Sequence, residues 1–405
     1  MNSLRPKLIF WICAFAAFTA CGREPTAVNT GSTDVTVISS CGVIDTGGDL
    51  ELAEGFAGPL ENAAEPCITI AASAVVLDCQ DVEINLGESA VGIRVGASVT
   101  GVTVKNCVVS GGEAGIIVDA AEEILVEGNT VTGGTRGIVL EDTSRSGVRD
   151  NQLTGQDGDG IVISGGSGNT IANNTISQTG GAGIALDNSN GNVLQGNESH
   201  GNGEDGIVLG HSRANTVIDN DLSTNGLRGL NVFNESADNT IQGNRTFCNT
   251  LLGIAIYTLS TNNTVAENTV YGNVYGIGLL HEAPGNMIVN NESYDNEGCG
   301  FYLESAAENI FEDNLSRDNG RCGLAVLTPP PGEGPDPRDN AFSNNRLLNN
   351  GSYGVVIASE LVATNSLSDN EFAGNGLDDI FTPQGSVLSD FGRYVGAEPS
   401  PCSNP

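Results

Sequence analysis

"GIVISGGSGNTIANNTISQTG", Gly160 to Gly180, is the stretch whose reading decides the fold. Ile161 and Ile163, then Ile171, then Ile176 are its apolar positions, with Gly, Ser and Asn between them. Alternation over three or four residues is the period of short strands, and no run is long enough for an amphipathic helix. The stretch fits a template, x-G-I-x-V/L-x-x-S-x-x-N-x-I-x-x-N-x-I/V-x-x-N, that returns along the chain. Its first Gly recurs at Gly92, Gly115, Gly137, Gly160, Gly183, Gly206, Gly229, Gly253, Gly276, Gly300 and Gly323, in steps of 22 to 24 residues. The next, Gly354, comes 31 later, and the insertion "TPPPGEGPDPRD" (Thr328–Asp339) accounts for the excess. A second column keeps the same beat: Asn106, Asn129, Asn151, Asn174, Asn197, Asn220, Asn244, Asn268, Asn291, Asn314, Asn345 and Asn370.

Two columns in step over most of the chain define one repeated unit, so length does not translate into domain count here. Each unit holds two or three strands of three to five residues, and neither a helical repeat nor a leucine-rich repeat fits. The unit is one coil of a parallel β-solenoid, strand above strand at about 4.8 Å. Twelve countable coils make a rod of at least about 50 Å. With aromatics at only 5% of residues, the core must be regularly packed Val, Ile and Leu. The Gly column is expected to supply left-handed backbone at a coil corner. The Asn column is expected to pass side-chain amide hydrogen bonds from coil to coil.

Period and columns together resemble the right-handed parallel β-helix family, specifically the PbH1 repeats of the NosD-like group, over about residues 68–375. The resemblance implies an all-β, single-stranded right-handed parallel β-helix of about 12–14 coils of roughly 23 residues. The organisation expected is a signal peptide over 1–20, a lipidated Cys with a flexible tether over 21–40, and an N-terminal cap with irregular coils over 41–90. The β-helix proper follows over 91–375, and a C-terminal cap or tail over 376–405.

Arg5 and Lys7 before the apolar "LIFWICAFAAF" read as an export signal too short for a comfortable membrane span. "FTAC" (Phe18–Cys21) resembles the lipobox of bacterial lipoproteins, with Phe18 where Leu is usual, and implies lipidation of Cys21. Gly22 in the next place implies retention at the outer membrane. The membrane would then be met only through that anchor. Setting aside Cys13 and Cys21, the remaining eight of ten Cys are an even set, and no CxxC pair occurs. In an exported chain that reads as disulfides. Cys299 and Cys322 each precede a column Gly by one residue, one period apart, which suits a bridge. Cys79–Cys107 and Cys41–Cys67 follow on similar grounds, leaving Cys248 to pair with Cys402 if the tail folds back.

Fifty acidic residues against 16 basic give a formal charge of −34, which excludes nucleic acid as a partner. An unaided polyanionic polysaccharide is disfavoured for the same reason, so a ligand is neutral, cationic or bridged by divalent cations. On such a rod chemistry sits on outward side chains and corner loops. The position five after each column Gly carries Asp142, Asn188, His211, Asn234, Thr258, His281 and Ser305, and the position before it carries Glu141 and Asp187. Glu141, Asp142, Asp187, Asn188, His211 and Asn234 are thus expected along one ridge, with Arg213 and His200 near it. Asp187, His211, Glu141 and Asp142 are the candidates for acid–base work, a carboxylate beside a histidine of the next coil. Asn188, Asn234, Arg213 and His281 are candidates for binding, and the oxygens could also hold Ca²⁺. Solvated corner residues are the simpler account of the same pattern.

Enzyme motifs of this fold are met only in part. "YGIGLLH" (Tyr275–His281) is similar to the Y-G-x-D-P-H pattern of alginate epimerases, but Gly278 stands in the place of its Asp. "GHS" at Gly210–Ser212 and "DD" at Asp378–Asp379 are fragments of polygalacturonase elements. Arg136 and Arg228 fall in one column near Asp159 and Asp205 and read as surface ion pairs rather than a pectate-lyase centre. Copper handling, associated with NosD-type proteins, wants Met, His and Cys, whereas three His and Met287 are what the mature chain offers. Thr170 and Ala185 replace the Asp of the calcium nonapeptide that "GGSGNTIAN" and "GGAGIALDN" otherwise echo. The insertion Thr328–Asp339 leaves the rod at the corner shared by His281 and Ser305. The expected function is a cell-envelope rod that binds carbohydrate or another envelope component, with Tyr257, Tyr275, Tyr302 and Phe233 as the outward rings for a sugar. A polysaccharide lyase, epimerase or hydrolase is the alternative, and a spacer or adhesin needs no site.

Overall fold

The structure is a computed structural model that describes residues 35–58, 66–329, 334–383 and 402. Signal segment, Cys21 and most of the tail therefore lie outside the described residues. Each regular coil gives one strand to each of three parallel sheets, here called sheets 1, 2 and 3, while the coils before Glu83–Asn85 give none to sheet 3 among the described residues. In the opening stretch these strands are Ile161–Ser164, Thr170–Ala172 and Thr175–Ser177. Among the described residues sheets 1 and 2 hold 15 strands and sheet 3 holds 13, every strand pairing with its copy one coil away. Ile161 thus sits over Ile184, and Ile171 over Leu194. Among the described residues the stack runs from Thr36–Ser40 to Asp378–Phe381, with strands in the 41–90 segment as well as in 91–375. After the insertion the register resumes, Ala341 pairing with Ile310.

The period-2 alternation sends Ile161, Ile163, Ile171 and Ile176 inward, all at 0% exposure. Near the far end the aliphatic files give way to Phe301, Phe311 and Phe342, whose rings pack 5.1 to 5.9 Å apart. Those rings with Leu324, Leu347 and Leu367 border a small apolar gap inside the coil.

The Gly column has a different cause from the one expected. None of its members has a left-handed φ. They are places where one coil lies tight on the next: a methyl group on Gly206 would stand 2.6 Å from the Gly229 carbonyl oxygen and 2.8 Å from Asn225 Nδ2. Left-handed backbone occurs five residues later, at Asp142, Asn188, His211, Asn234, Thr258, His281 and Ser305, with φ between 46° and 54°. Asn, Asp and His tolerate that conformation better than other side chains with a Cβ.

Asparagines run in three files rather than one. The expected file extends from Asn129 to Asn370 between sheets 2 and 3. A second leads from Asn169 to Asn365 ahead of sheet 2, and a third from Asn202 to Asn375 after sheet 3. Asn106 is not in the first file. Its φ is 52° and its amide donates to Asp78 Oδ1 at 3.0 Å. The file's place in that coil belongs to Cys107, whose N–H donates to Asn129 Oδ1 at 2.9 Å. A ladder asparagine uses its whole hydrogen-bonding capacity: Asn174 donates to Val148 O and Asn197 Oδ1, while its own Oδ1 accepts the N–H and the amide of Asn151.

Among the described residues four disulfides, Cys41–Cys67, Cys79–Cys107, Cys248–Cys402 and Cys299–Cys322, join Cα atoms 4.4 to 5.6 Å apart. Three staple neighbouring coils, whereas Cys402 returns to Cys248, six coils back from Asp378–Phe381.

Candidate functional site

The outer face of sheet 1 and the corner beyond it carry the chemistry-bearing files. Because the regular coils from Asp142 to Ser305 turn from sheet 1 to sheet 2 through a left-handed residue, the Asn, Asp and His of the corner file answer first to a backbone requirement. Within that file only one group of candidates meets. His211 Nδ1 lies 3.1 Å from Asp187 Oδ1, and Asn188 Nδ2 donates to Asp187 Oδ2 at 3.0 Å. With Nδ1 toward the carboxylate, the Nε2 edge of His211 is its other polar edge.

The remaining ridge candidates are spread along the rod. Glu141 and Asp142 sit two coils before Asp187, separated from it by Ser164, and Glu141 lies 3.9 Å from Arg136. Asn234 is one coil beyond His211. Arg213 is two residues past His211, its N–H donating to Asn190 Oδ1 at 2.8 Å. His281 is three coils on, edge-on to Tyr257 with centroids 6.3 Å apart. His200 is not near the ridge: it belongs to sheet 3, between Ser177 and Ser223. The Asp187 and His211 side chains are 58% and 49% exposed, so water screens the pair and its interaction energy is small.

Next to this pair the outer file changes from carboxylate to glycine to aromatic: Asp187, Gly210, Phe233, then Tyr257. A methyl group on Gly210 would lie 3.1 Å from Phe233 Cε1 and 3.5 Å from Asp187 Oδ1. Gly210 is thus the point where carboxylate and ring converge. Phe233 stacks on Tyr257 on its other side at 5.8 Å, so its Gly210 side ends the stack. Ala182, Ala185 and Val208 keep the adjoining floor of the face low.

Across the same strands lies a more buried polar group. Asp205, 5% exposed, accepts the Arg228 N–H on Oδ1 at 3.0 Å and the Asn231 amide on Oδ2 at 2.7 Å. The Arg228 guanidinium lies 3.4 Å from Oδ1 and 5.0 Å from the Tyr257 ring centroid. Burial pushes the Asp205 carboxyl above its ordinary 3.8, against the opposing pull of Arg228 and Asn231. Asn231, only 3% exposed, has no partner for Oδ1, and Arg228 none for Nε. The surface ion pair expected for Arg228 is therefore a largely buried one.

The outward rings differ from those expected. Tyr302 is buried at 8%, its hydroxyl donating to Glu304 at 2.6 Å, and burial together with Glu304 pushes the phenol's pKa up. A file on sheet 3 that sequence reasoning missed stacks Phe247 on Tyr271 and Tyr271 on Tyr294, each at 5.0 Å. Arg245 covers one end of it and Arg317 the other, at 4.5 and 4.1 Å from the ring centroids. One ring per coil uses up its neighbours' faces, so this file holds itself together and leaves no flat platform for a sugar. Its signal was an aromatic recurring at steps of 24 and 23 residues. At Gly278 a methyl group would stand 3.1 Å from Leu280 Cδ1, with a Leu252 methyl also crowding the position, so leucine side chains close over the backbone there. Among the described residues no group of three or more His, Cys, Asp or Glu is arranged to hold a metal ion.

A family model described as the right-handed beta helix region matches residues 89–246 and 244–328. No curated protein sequence matches this chain. Among solved structures, the periplasmic alginate epimerase AlgG is similar at 17% identity, covering 78% of this chain and 77% of its own, with a TM-score of 0.55. The A-module of the Azotobacter vinelandii mannuronan C-5 epimerase AlgE6 is 16% identical over 84% of this chain and 92% of its own, with a TM-score of 0.51. At such identities the likeness is one of fold.

Proposed function

Because this chain belongs to the right-handed β-helix family, we propose that it is an exported rod that binds carbohydrate, or another envelope component, across the outer face of sheet 1. The observation that carries the reading is the notch that the missing Gly210 side chain leaves in the outer file, where the Phe233 ring leans over the buried glycine toward the Asp187–His211 pair, beside small residues. A sugar ring offers an apolar face to an aromatic and hydroxyls to a carboxylate and an imidazole, which is the mix of apolar wall and a few placed polar groups that ligand sites use. Export is supported by the four disulfides, which persist in oxidising compartments. No helix among the described residues is long and apolar enough to cross a membrane. Anchoring through Cys21 at the outer membrane belongs to the same proposal.

Catalysis is the second reading, and the 3.1 Å contact between Asp187 and His211 favours it. Against it stands the openness of the pair, since acid–base groups gain most where water is excluded. Epimerase chemistry like that named for the structural neighbours gains no support at Gly278, which replaces the Asp of the epimerase pattern and which leucines cover.

The test is a glycan array run with and without Ca²⁺, followed by titration and product analysis on each hit. Binding without turnover, lost in Gly210→Ala and Phe233→Ala, is the expected result. Turnover abolished by His211→Ala would replace binding by catalysis, and hits indifferent to both notch variants would move the site elsewhere.

A further inference from the structure

Asp205, Arg228 and Asn231 are placed in a way that the fold alone does not require. Asp205 and Arg228 occupy the same file on successive coils, and Asn231 is the third residue after Arg228. Both neighbours converge on one carboxylate, the Asn231 amide at Oδ2 and Arg228 at Oδ1. The 2.7 Å contact fixes the Asn231 side chain with its nitrogen toward Asp205, so its oxygen points away and meets no donor. Arg228 Nε likewise meets no acceptor. Buried polar atoms left unmet are uncommon and costly, and a matched donor and acceptor on converging side chains is the complement of a ligand that brings one of each.

Resting on the carbohydrate reading above, we infer that Asp205, Arg228 and Asn231 form a subsite for a pair of hydroxyls on an uncharged sugar and that this subsite rejects uronates. One hydroxyl donates to Asn231 Oδ1 and the other accepts from Arg228 Nε. A uronate carboxylate has acceptors only. Docked here it would satisfy Arg228 but leave Asn231 Oδ1 unmet, and a uronate docked through its hydroxyls would still bring a second negative charge near Asp205 on a chain whose formal charge is −34. An ammonium has donors only and fails in the opposite sense. Asn231 stands two residues before Phe233 on one strand, Leu230–Phe233, about 7 Å along it. One oligosaccharide can therefore reach the notch and the subsite together. The Arg228 side chain is 20% exposed against 7% for Asp205, so it is the member of this ion pair that a ligand meets first.

The experiment is calorimetric titration of the full chain with three uncharged hexasaccharides (cellohexaose, laminarihexaose and mannohexaose) and with hexamannuronate, in about 150 mM salt. At least one uncharged probe should bind about tenfold or more tightly than hexamannuronate. Asn231→Ala should weaken that probe about tenfold, because a ligand hydroxyl loses its acceptor. Asp205→Asn, which keeps an oxygen for the Asn231 amide but removes the charge, should narrow the gap by strengthening hexamannuronate. Melting curves of both variants confirm that the rod is intact, and Asp205→Asn carries the test if Asn231→Ala does not fold. Hexamannuronate binding as tightly as the best uncharged probe overturns the inference. So does an uncharged probe whose affinity falls in Gly210→Ala and Phe233→Ala but not in Asn231→Ala, a result that leaves the notch standing. If none of the four probes binds, notch and subsite fall together.

Discussion

Replacing Asn220 by Ala removes one rung from the longest asparagine file. Asn220 Oδ1 accepts the Asn197 N–H and the Asn197 amide, both at 2.9 Å. Its own amide donates to Leu194 O at 3.0 Å and Asn244 Oδ1 at 2.9 Å. Asn220 is 1% exposed and Asn197 0%, so water does not readily replace what is lost. Two donor hydrogens of Asn197 are stranded, each at about 1–3 kcal/mol, so Asn220→Ala should cost about 2–6 kcal/mol. Gln195→Ala, on the exposed outer side of the neighbouring strand Val193–Gln195, is the control and should stay within about 0.5 kcal/mol. Urea unfolding measures the total, and hydrogen exchange of the segment around Asn197 shows whether the loss is local, as expected for a stack in which each coil touches only its neighbours. Asn220→Asp keeps the shape but turns a carboxylate toward Leu194 O and Asn244 Oδ1. It should be as damaging at pH 7 and recover in part when acid restores one donor hydrogen. An unfolding midpoint for Asn220→Ala no lower than that of Gln195→Ala, with unchanged exchange at Asn197, would refute the idea that the files are stabilising connections.

Gly206→Ala should destabilise by about 1–3 kcal/mol in the same unfolding assay, since its methyl group meets the Gly229 carbonyl oxygen at 2.6 Å and cannot be relieved by a rotamer change. Asp205, whose carboxyl is raised above its unfolded 3.8 by burial, should stabilise the wild type relative to Asp205→Asn progressively as pH falls through the raised value toward 3.8. Thermal melts of the two proteins between pH 7 and 4 check that sign, and an opposite trend excludes a strained carboxylate. Mild reductant should open Cys248–Cys402 first, because both its sulfur-bearing residues are partly exposed while Cys299 and Cys322 are at 0%. Alkylation mapped by mass spectrometry reads the order, and loss of that bridge should lower stability by about 2–5 kcal/mol given its 154-residue separation.

In the sequence, the site is legible where register alone decides. Asp187 and His211 are one period and one residue apart, so stacking places them together and the contact follows. Register does not decide where two adjacent residues compete for one place, as Asn106 and Cys107 do, because steps of 22 to 24 do not distinguish them. Nor does it decide where burial depends on other coils. Arg228 reads as a surface cation until Tyr257, more than one period away, lies against it. Phe247, Tyr271 and Tyr294 recur in step, yet recurrence does not say that each ring spends its faces on the next.

The repeat by itself determined the stack, since a period near 23 with short alternating strands has few ways to bury its aliphatic residues and pair its backbone. Why each Gly is needed, which polar atoms go unmet, and whether a ring shows its face or its edge were decided only by tertiary structure. These depend on small differences in distance between coils and on side chains several coils apart, and spacing along a chain carries no record of either.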